Sequence, residues 1–233
     1  MEKTGMSDLV MNGVATAAGG HYRNVRMDGV GKVEGSLEAE RFDANGVLTV
    51  KGSIRVRELA VNGRLKVEGG LAAAHMRIDG IVRAEGDLSG DRLELNGICT
   101  VRGDMAFERI DAAGTFHVDG LVNAGHVGIR LFGQARAREI GGDTIRVGKT
   151  ATAKWKTLLR WVYPKWHPEL VADTIEGDDI ELAHTIAETV RGERVAIGPG
   201  CRIGRIEYRS ELRVHASSQV GEEVKSGDGN GRG

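Results

Sequence analysis

The sequence predicts an all-β chain wound as a parallel β-solenoid, with one coil to each 17-residue repeat. Three observations predict it: two glycine series that advance in step, apolar columns that keep the same ruler, and polar residues alternating between them. Internal repeats decide the architecture before any single element is assigned, because stacked copies bury a continuous core that one copy cannot.

The first glycine series is Gly29, Gly46, Gly63, Gly80, Gly97 and Gly114, and the second is Gly35, Gly52, Gly69, Gly86, Gly103 and Gly120. Both step by 17 without a slip. Asp28, Asn45, Asn62, Asp79 and Asn96 precede the first series, and only Ala113 departs. Asx-Gly tolerates positive φ and marks a tight corner, so the glycines sit at corners and the strands lie between them. An internal glycine otherwise weakens a strand.

Five apolar columns follow the same ruler. Before the first corner they run Val25, Phe42, Leu59, Met76, Leu93, Ile110 and Met27, Ala44, Val61, Ile78, Leu95, Ala112. After it come Gly31, Leu48, Leu65, Val82, Cys99, Phe116 and Val33, Val50, Val67, Ala84, Val101, Val118. Leu37, Ile54, Leu71, Leu88, Met105 and Val122 complete the set. The residues between them are mostly polar, which is period-2 alternation with one face inward. Each coil therefore supplies three short strands separated by bends.

Five segments follow: a tail over 1–8, coils over 9–150, an insertion over 151–171, further irregular β coils over 172–221, and a disordered polar tail over 222–233. Residues 9–19 fit the template with one residue fewer before the next copy. Val127 and Ile129 extend the first two columns, Leu131 replaces the expected glycine, and the ruler then drifts. The insertion holds all three tryptophans in KWKTLLRWVYPKWHPEL, 154–170. Trp155, Leu158, Leu159 and Val162 have the spacing of a short helix ending before Pro164. Aromatic and basic residues together suit a membrane surface or a partner, so the expected contacts are Trp155, Leu158, Leu159, Arg160, Trp161, Tyr163 and Trp166.

Composition bounds the rest. The chain has 233 residues, and only 4% are aromatic, which suits a narrow aliphatic core. Net charge is −1, from 32 basic and 33 acidic residues, so no general nucleic-acid binder is expected. The three prolines are few, as strands bonded on both sides require. No apolar run resembles a signal peptide or a membrane span, and Cys99 and Cys201 suggest no disulfide, so a reducing cytoplasm, with membrane association through the insertion, is the expected location.

Candidate chemistry is sparse. GGDTIRVGKT, 141–150, carries Asp143 where a phosphate-binding loop needs glycine, and Ile145 and Val147 alternate as in a strand. The seven histidines have neither the pairing nor the cysteine spacing of a zinc site. No nucleophile elbow occurs. The expectation is a non-enzyme without cofactor or metal. Lys32, Thr49, Lys66, Arg83, Thr100 and His117 stack as an outward basic-to-neutral stripe, and the Asx residues stack as a ladder able to hydrogen-bond along the solenoid.

Coils of the form φ-x-φ-[DN]-G-x-φ-x-φ-x-G over residues 9–129, together with DTIEGDDIELAHTIAETVRGERVAIGPGCRIGRIEY at 173–208, resemble the bactofilins, the polymer-forming bacterial cytoskeletal proteins. The resemblance implies a right-handed, three-sided β-helix that polymerises end to end without nucleotide and scaffolds other proteins at the membrane. Right-handedness also matches the general hand of parallel β connections. The chain departs from the family pattern in its length and its tryptophan-rich insertion. Expected polymer contacts are Leu9 and Met11 at one end, and Tyr208, Leu212 and Val214 at the other. The expected partners are further copies of the chain and other proteins. A rival reading is a left-handed hexapeptide-repeat acyltransferase-like enzyme. IGPGCRIG, 197–204, supplies one six-residue step for it, against a main period of 17.

Overall fold

The computed structural model describes residues 6–149 and 168–227. Ten strands follow in chain order: β1 (Leu9–Val50), β2 (Ile54–Val67), β3 (Leu71–Ala84), β4 (Leu88–Val101), β5 (Met105–Leu131), β6 (Ala135–Lys149), β7 (Leu170–Leu182), β8 (Thr185–Ile197), β9 (Arg202–Val214) and β10 (Gln219–Lys225). They form one sheet in sequential order, and every neighbouring pair is parallel. The long strands bend through corners, so each wraps around the axis instead of crossing a flat sheet. This is a β-solenoid, and no helix occurs among the described residues.

The 17-residue ruler is the stacking register itself. Leu48 pairs with Leu65, Leu65 with Val82, Val82 with Cys99, and Cys99 with Phe116. Every member of the five apolar columns is buried except Gly31, where the tip of Met11 and Leu48 occupy the space a side chain would need. The first coil steps by 16, as the corner shows: a Gly29 Cβ would lie 2.2 Å from the Gly13 carbonyl oxygen. That matches the shortened first copy.

The corner glycines are required by close approach as well as by φ. Gly63 has φ +134°, and a Cβ there would lie 2.2 Å from the Gly46 carbonyl oxygen in the coil before it. Gly46, Gly80, Gly97 and Gly114 repeat the arrangement, so backbone stacks on backbone along that edge. The chain stays extended through these corners, and the Asx-Gly pairs are kinks within strands instead of separate turns. At the other glycine series the chain leaves the strand as a bend, as at 51–52, 68–69, 85–86 and 102–103.

The ruler breaks where Leu131 displaces glycine. Leu121–Leu131 pair with residues 18 positions on, and His117 pairs with Arg136, 19 positions on. β6 then pairs with β7 across a separation of 35, from Ala135↔Leu170 to Val147↔Leu182. The later coils are irregular: β7 and β8 are offset by 15, β8 and β9 by 16 and then 17, and β9 and β10 by 17. A new glycine stack, Gly142, Gly177 and Gly192, serves a different corner, and a Gly177 Cβ would sit 2.2 Å from the Gly142 carbonyl oxygen.

The segment bounds read from the sequence move at two places, and the structure joins the coils on either side of the insertion. The coils before and after the insertion belong to one stack, because β6 and β7 are hydrogen-bonded neighbours. β7 begins at Leu170, inside the segment assigned to the insertion, because Leu170 is fully buried and pairs with Ala135. β10 runs to Lys225, past the boundary at 221, because the 17-residue offset lays it over Arg202–Tyr208. The expected helix at 155–162 lies outside the described residues.

Candidate interaction surfaces

A parallel stack leaves one free strand edge at each end, since β1 and β10 close the sheet order. Among the described residues β10 covers Arg202–Tyr208 of β9, and no strand covers Arg209–Val214. Leu212 and Val214 occupy inward columns, paired with Val195 and Ile197 of β8. Val195 and Ile197 are buried, whereas Leu212 is half-buried and Val214 is 39% exposed. Tyr208 is half-buried and lies between Gly192 and Lys225.

At the N-terminal end Leu9 is half-buried and packs on the core. Met11, expected as an end contact, is buried inside its own chain because it fills the space over Gly31. Asp8 closes this end by accepting from Arg23 at 3.0 Å and from Asn24 at 3.1 Å. The Arg23 guanidinium holds the Asp8 carboxyl below its usual range. The expected membrane or partner contacts Trp155, Leu158, Leu159, Arg160, Trp161, Tyr163 and Trp166 lie outside the described residues.

The outward columns are charged but locally balanced. The Asx residues hydrogen-bond along the solenoid in two runs: the Asn45 amide donates to Asp28 at 2.9 Å and Asn62 to Asn45 at 3.1 Å, and separately Asn96 donates to Asp79 at 3.0 Å. Arg26, Arg77 and Arg109 each donate to the acid two residues on, and these bonds hold Asp28, Asp79 and Asp111 below their ordinary pKa. The basic stripe is neutralised by the column beside it. Lys32 pairs with Glu34, Lys66 with Glu68, Arg83 with Glu85, and His117 with Asp119. Exposed pairs of this kind contribute little net stability, and they leave no isolated cationic track.

The interior carries no exposed chemistry. Cys99 is fully buried, and burial alone pushes its thiol up to about 12. Cys201 is buried too, with its thiol raised by the same cause. Ile145 and Val147 are buried in β6, which makes 141–149 a strand. His126 is half-buried, and its pKa is lowered by burial and by Arg109 nearby. Among the described residues no group of three His, Cys, Asp or Glu side chains could hold a metal ion. Among the described residues there is no helix long and apolar enough to cross a membrane.

One surface escaped the sequence reading. Immediately after the Asx-Gly corners, Val14, Val30, Val47, Arg64, Ile81, Ile98 and Thr115 occupy one outward column. Paired registers connect Val47 through to Thr115, and the stacked corner glycines connect Val14 and Val30 to it. Val14 is 89% exposed, Val30 51%, Val47 43% and Ile98 45%.

No protein-family model matches the chain, and no solved structure matches it. Two proteins of Bacillus subtilis (strain 168) are similar to it. "Uncharacterized protein YhbE" is 44% identical over 104 residues, and "Uncharacterized protein YhbF" is 38% identical over 107 residues. The matched stretches cover 44% and 46% of this chain, and 42% of the length of each relative.

Proposed function

We propose that the chain is a non-enzymatic, self-associating scaffold that polymerises through the ends of its solenoid without nucleotide. The observation that carries this reading is the edge of β9, where Leu212 and Val214 continue buried columns and, among the described residues, no strand is stacked on them. An open parallel edge presents unpaired N–H and C=O groups and apolar side chains, and a second end satisfies both. Like ends meeting give two-fold contacts, and two such ends per molecule give a filament.

In the finer reading, which the bactofilin resemblance supports, the solenoid is right-handed and three-sided. It positions partner proteins near the membrane in the cytoplasm. Residues 154–166 make the membrane or partner contact, worth on the order of 1 kcal/mol per basic residue near an anionic surface. Polymerisation multiplies that affinity by avidity.

The test is light scattering and negative-stain microscopy of the purified chain beside the double variant Leu212→Arg, Val214→Arg. Wild type is expected to form filaments, and the variant short species with the same circular dichroism. A strictly monomeric wild type at high concentration and physiological salt would overturn the polymer. For the membrane contact, Trp161→Ala, Trp166→Ala should pellet less with anionic liposomes than wild type does. Equal pelleting, or none by either, removes that part.

A further inference from the structure

We propose that the aliphatic column after the Asx-Gly corners is a lateral docking ridge for a second copy of the chain, with the two solenoids side by side and parallel. This goes beyond end-to-end assembly, because it concerns the flank of the solenoid.

The ridge is an anomaly in a surface otherwise laddered with charge. Val14, Val30, Val47 and Ile98 are all substantially exposed, and Ile81 is half-buried between Arg64 and Ile98. Scattered exposed aliphatics need no explanation, but a contiguous line of them marks an interaction site. The line sits on the corner edge, directly after the glycines whose backbones stack in close contact.

Its period selects the partner. Residues recur once per coil, at the strand spacing of about 4.8 Å. A surface that matches this period over many coils is another stack of parallel strands with the same repeat, and a second copy supplies one. Flanking charge then selects the orientation. On one side of the ridge runs the Asx column, with Asp28 and Asp79. On the other runs the basic column, with Lys32, Lys66 and Arg83. A two-fold axis parallel to the solenoids sets the Asx column of one copy against the basic column of the other. Antiparallel solenoids would set like against like, which interfaces avoid. The flanking charges are exposed and paired within the chain, so their role is orientation, and the apolar ridge supplies the contact.

Arg64 is the one charge on the ridge, between Val47 and Ile81. In a parallel pair it meets its own copy and weakens the contact. The proposal therefore has a variant for each direction. The background is the full chain with Leu212→Arg, Val214→Arg, so that end contacts do not contribute, and the readout is molar mass by sedimentation equilibrium. A dimer is expected, converted to monomer by Val47→Lys, Ile98→Lys, and tightened at least tenfold in Kd by Arg64→Val. All three positions face solvent, so melting temperature should hold, and Arg64→Val tests the ridge even if the lysine pair perturbs folding. Oxidised Val47→Cys should form a disulfide-linked homodimer in the parallel pair. A bridge obtained only on mixing Val47→Cys with Ile81→Cys copies would overturn the parallel arrangement. A monomer with the ridge intact and with Arg64→Val, or a dimer indifferent to all three changes, would overturn the ridge. So would phosphatidylglycerol vesicle binding lost with Val47→Lys while molar mass stays monomeric. In the unblocked chain, failure of end contact shortens filaments, whereas failure of the ridge leaves them single.

Discussion

Replacing Gly63 by alanine tests the feature on which the coil stack most depends. Gly63 holds φ at +134°, a region costing an L-residue about 1–3 kcal/mol. The added Cβ would also lie 2.2 Å from the Gly46 carbonyl oxygen, more than an ångström inside ordinary contact. That atom is backbone, held in the strand register between β1 and β2, so relief requires opening the coil spacing. Overpacking of this kind costs about 1–3 kcal/mol, and each interstrand hydrogen bond lost about 1 kcal/mol more. With one such bond lost, the expected total is about 3–7 kcal/mol. Two controls separate the terms. Gly13 has φ +70° with nothing within 4 Å of its Cβ position, so Gly13→Ala should cost about 1–2 kcal/mol. Gly148 has open space and ordinary φ, so Gly148→Ala should stay within about 0.5 kcal/mol. Urea unfolding followed by circular dichroism gives the ranking, with amide hydrogen exchange for the terminal coil of Gly13. If Gly63→Ala unfolds with Gly148→Ala, the claim that the corners stack in backbone contact is wrong.

The columns make further predictions. Leu65→Asp places a charge in a fully buried site and should abolish folding, whereas Lys66→Glu, one residue on and outward, should cost no more than about 1 kcal/mol; far-UV circular dichroism distinguishes them. Asp28, Asp79 and Asp111 titrate below 3.8 when folded, so their contribution is complete above the unfolded value and lost as pH falls through the folded one. The urea midpoint should therefore hold above about pH 5 and fall below pH 3.8, with a smaller fall in Asp111→Asn. Cys99, buried and with its thiol pushed up to about 12, should resist alkylation in the native protein and react fully once unfolded.

The legibility of the fold followed the ruler. Where glycine stops every coil at the same two places, as from Gly29 to Gly120, parity alone puts Leu65 inside and Lys66 outside. Where Leu131 takes the corner, extra residues enter and parity loses its reference, although the hydrogen-bonded stack continues. Thr185 illustrates the cost: it is fully buried in the place of Leu170, while the more hydrophobic Ile186 beside it faces outward opposite Arg202. Among the expected end contacts, Leu212 and Val214 lie on the part of β9 beyond the stretch that β10 covers, but Met11 is buried, because the 16-residue first step sets it in the inward column of Met27 and its tip covers Gly31. The exposed ridge is hidden in the sequence for another reason. Valine and isoleucine suit strands on either face, so Val30, Val47 and Ile98 carry no mark of exposure in the sequence.

The fixed 17-residue register also bears on how such a chain changes over generations. Because one coil rests on the next through identical columns, an in-frame duplication of seventeen codons anywhere between Gly46 and Gly114 would insert a coil without disturbing its neighbours. The solenoid would grow by one strand spacing, about 4.8 Å, and both end faces would stay as they were. Length is thereby inherited separately from end chemistry, and a lineage could lengthen or shorten the chain by replication slippage while the residues at both ends stayed the same.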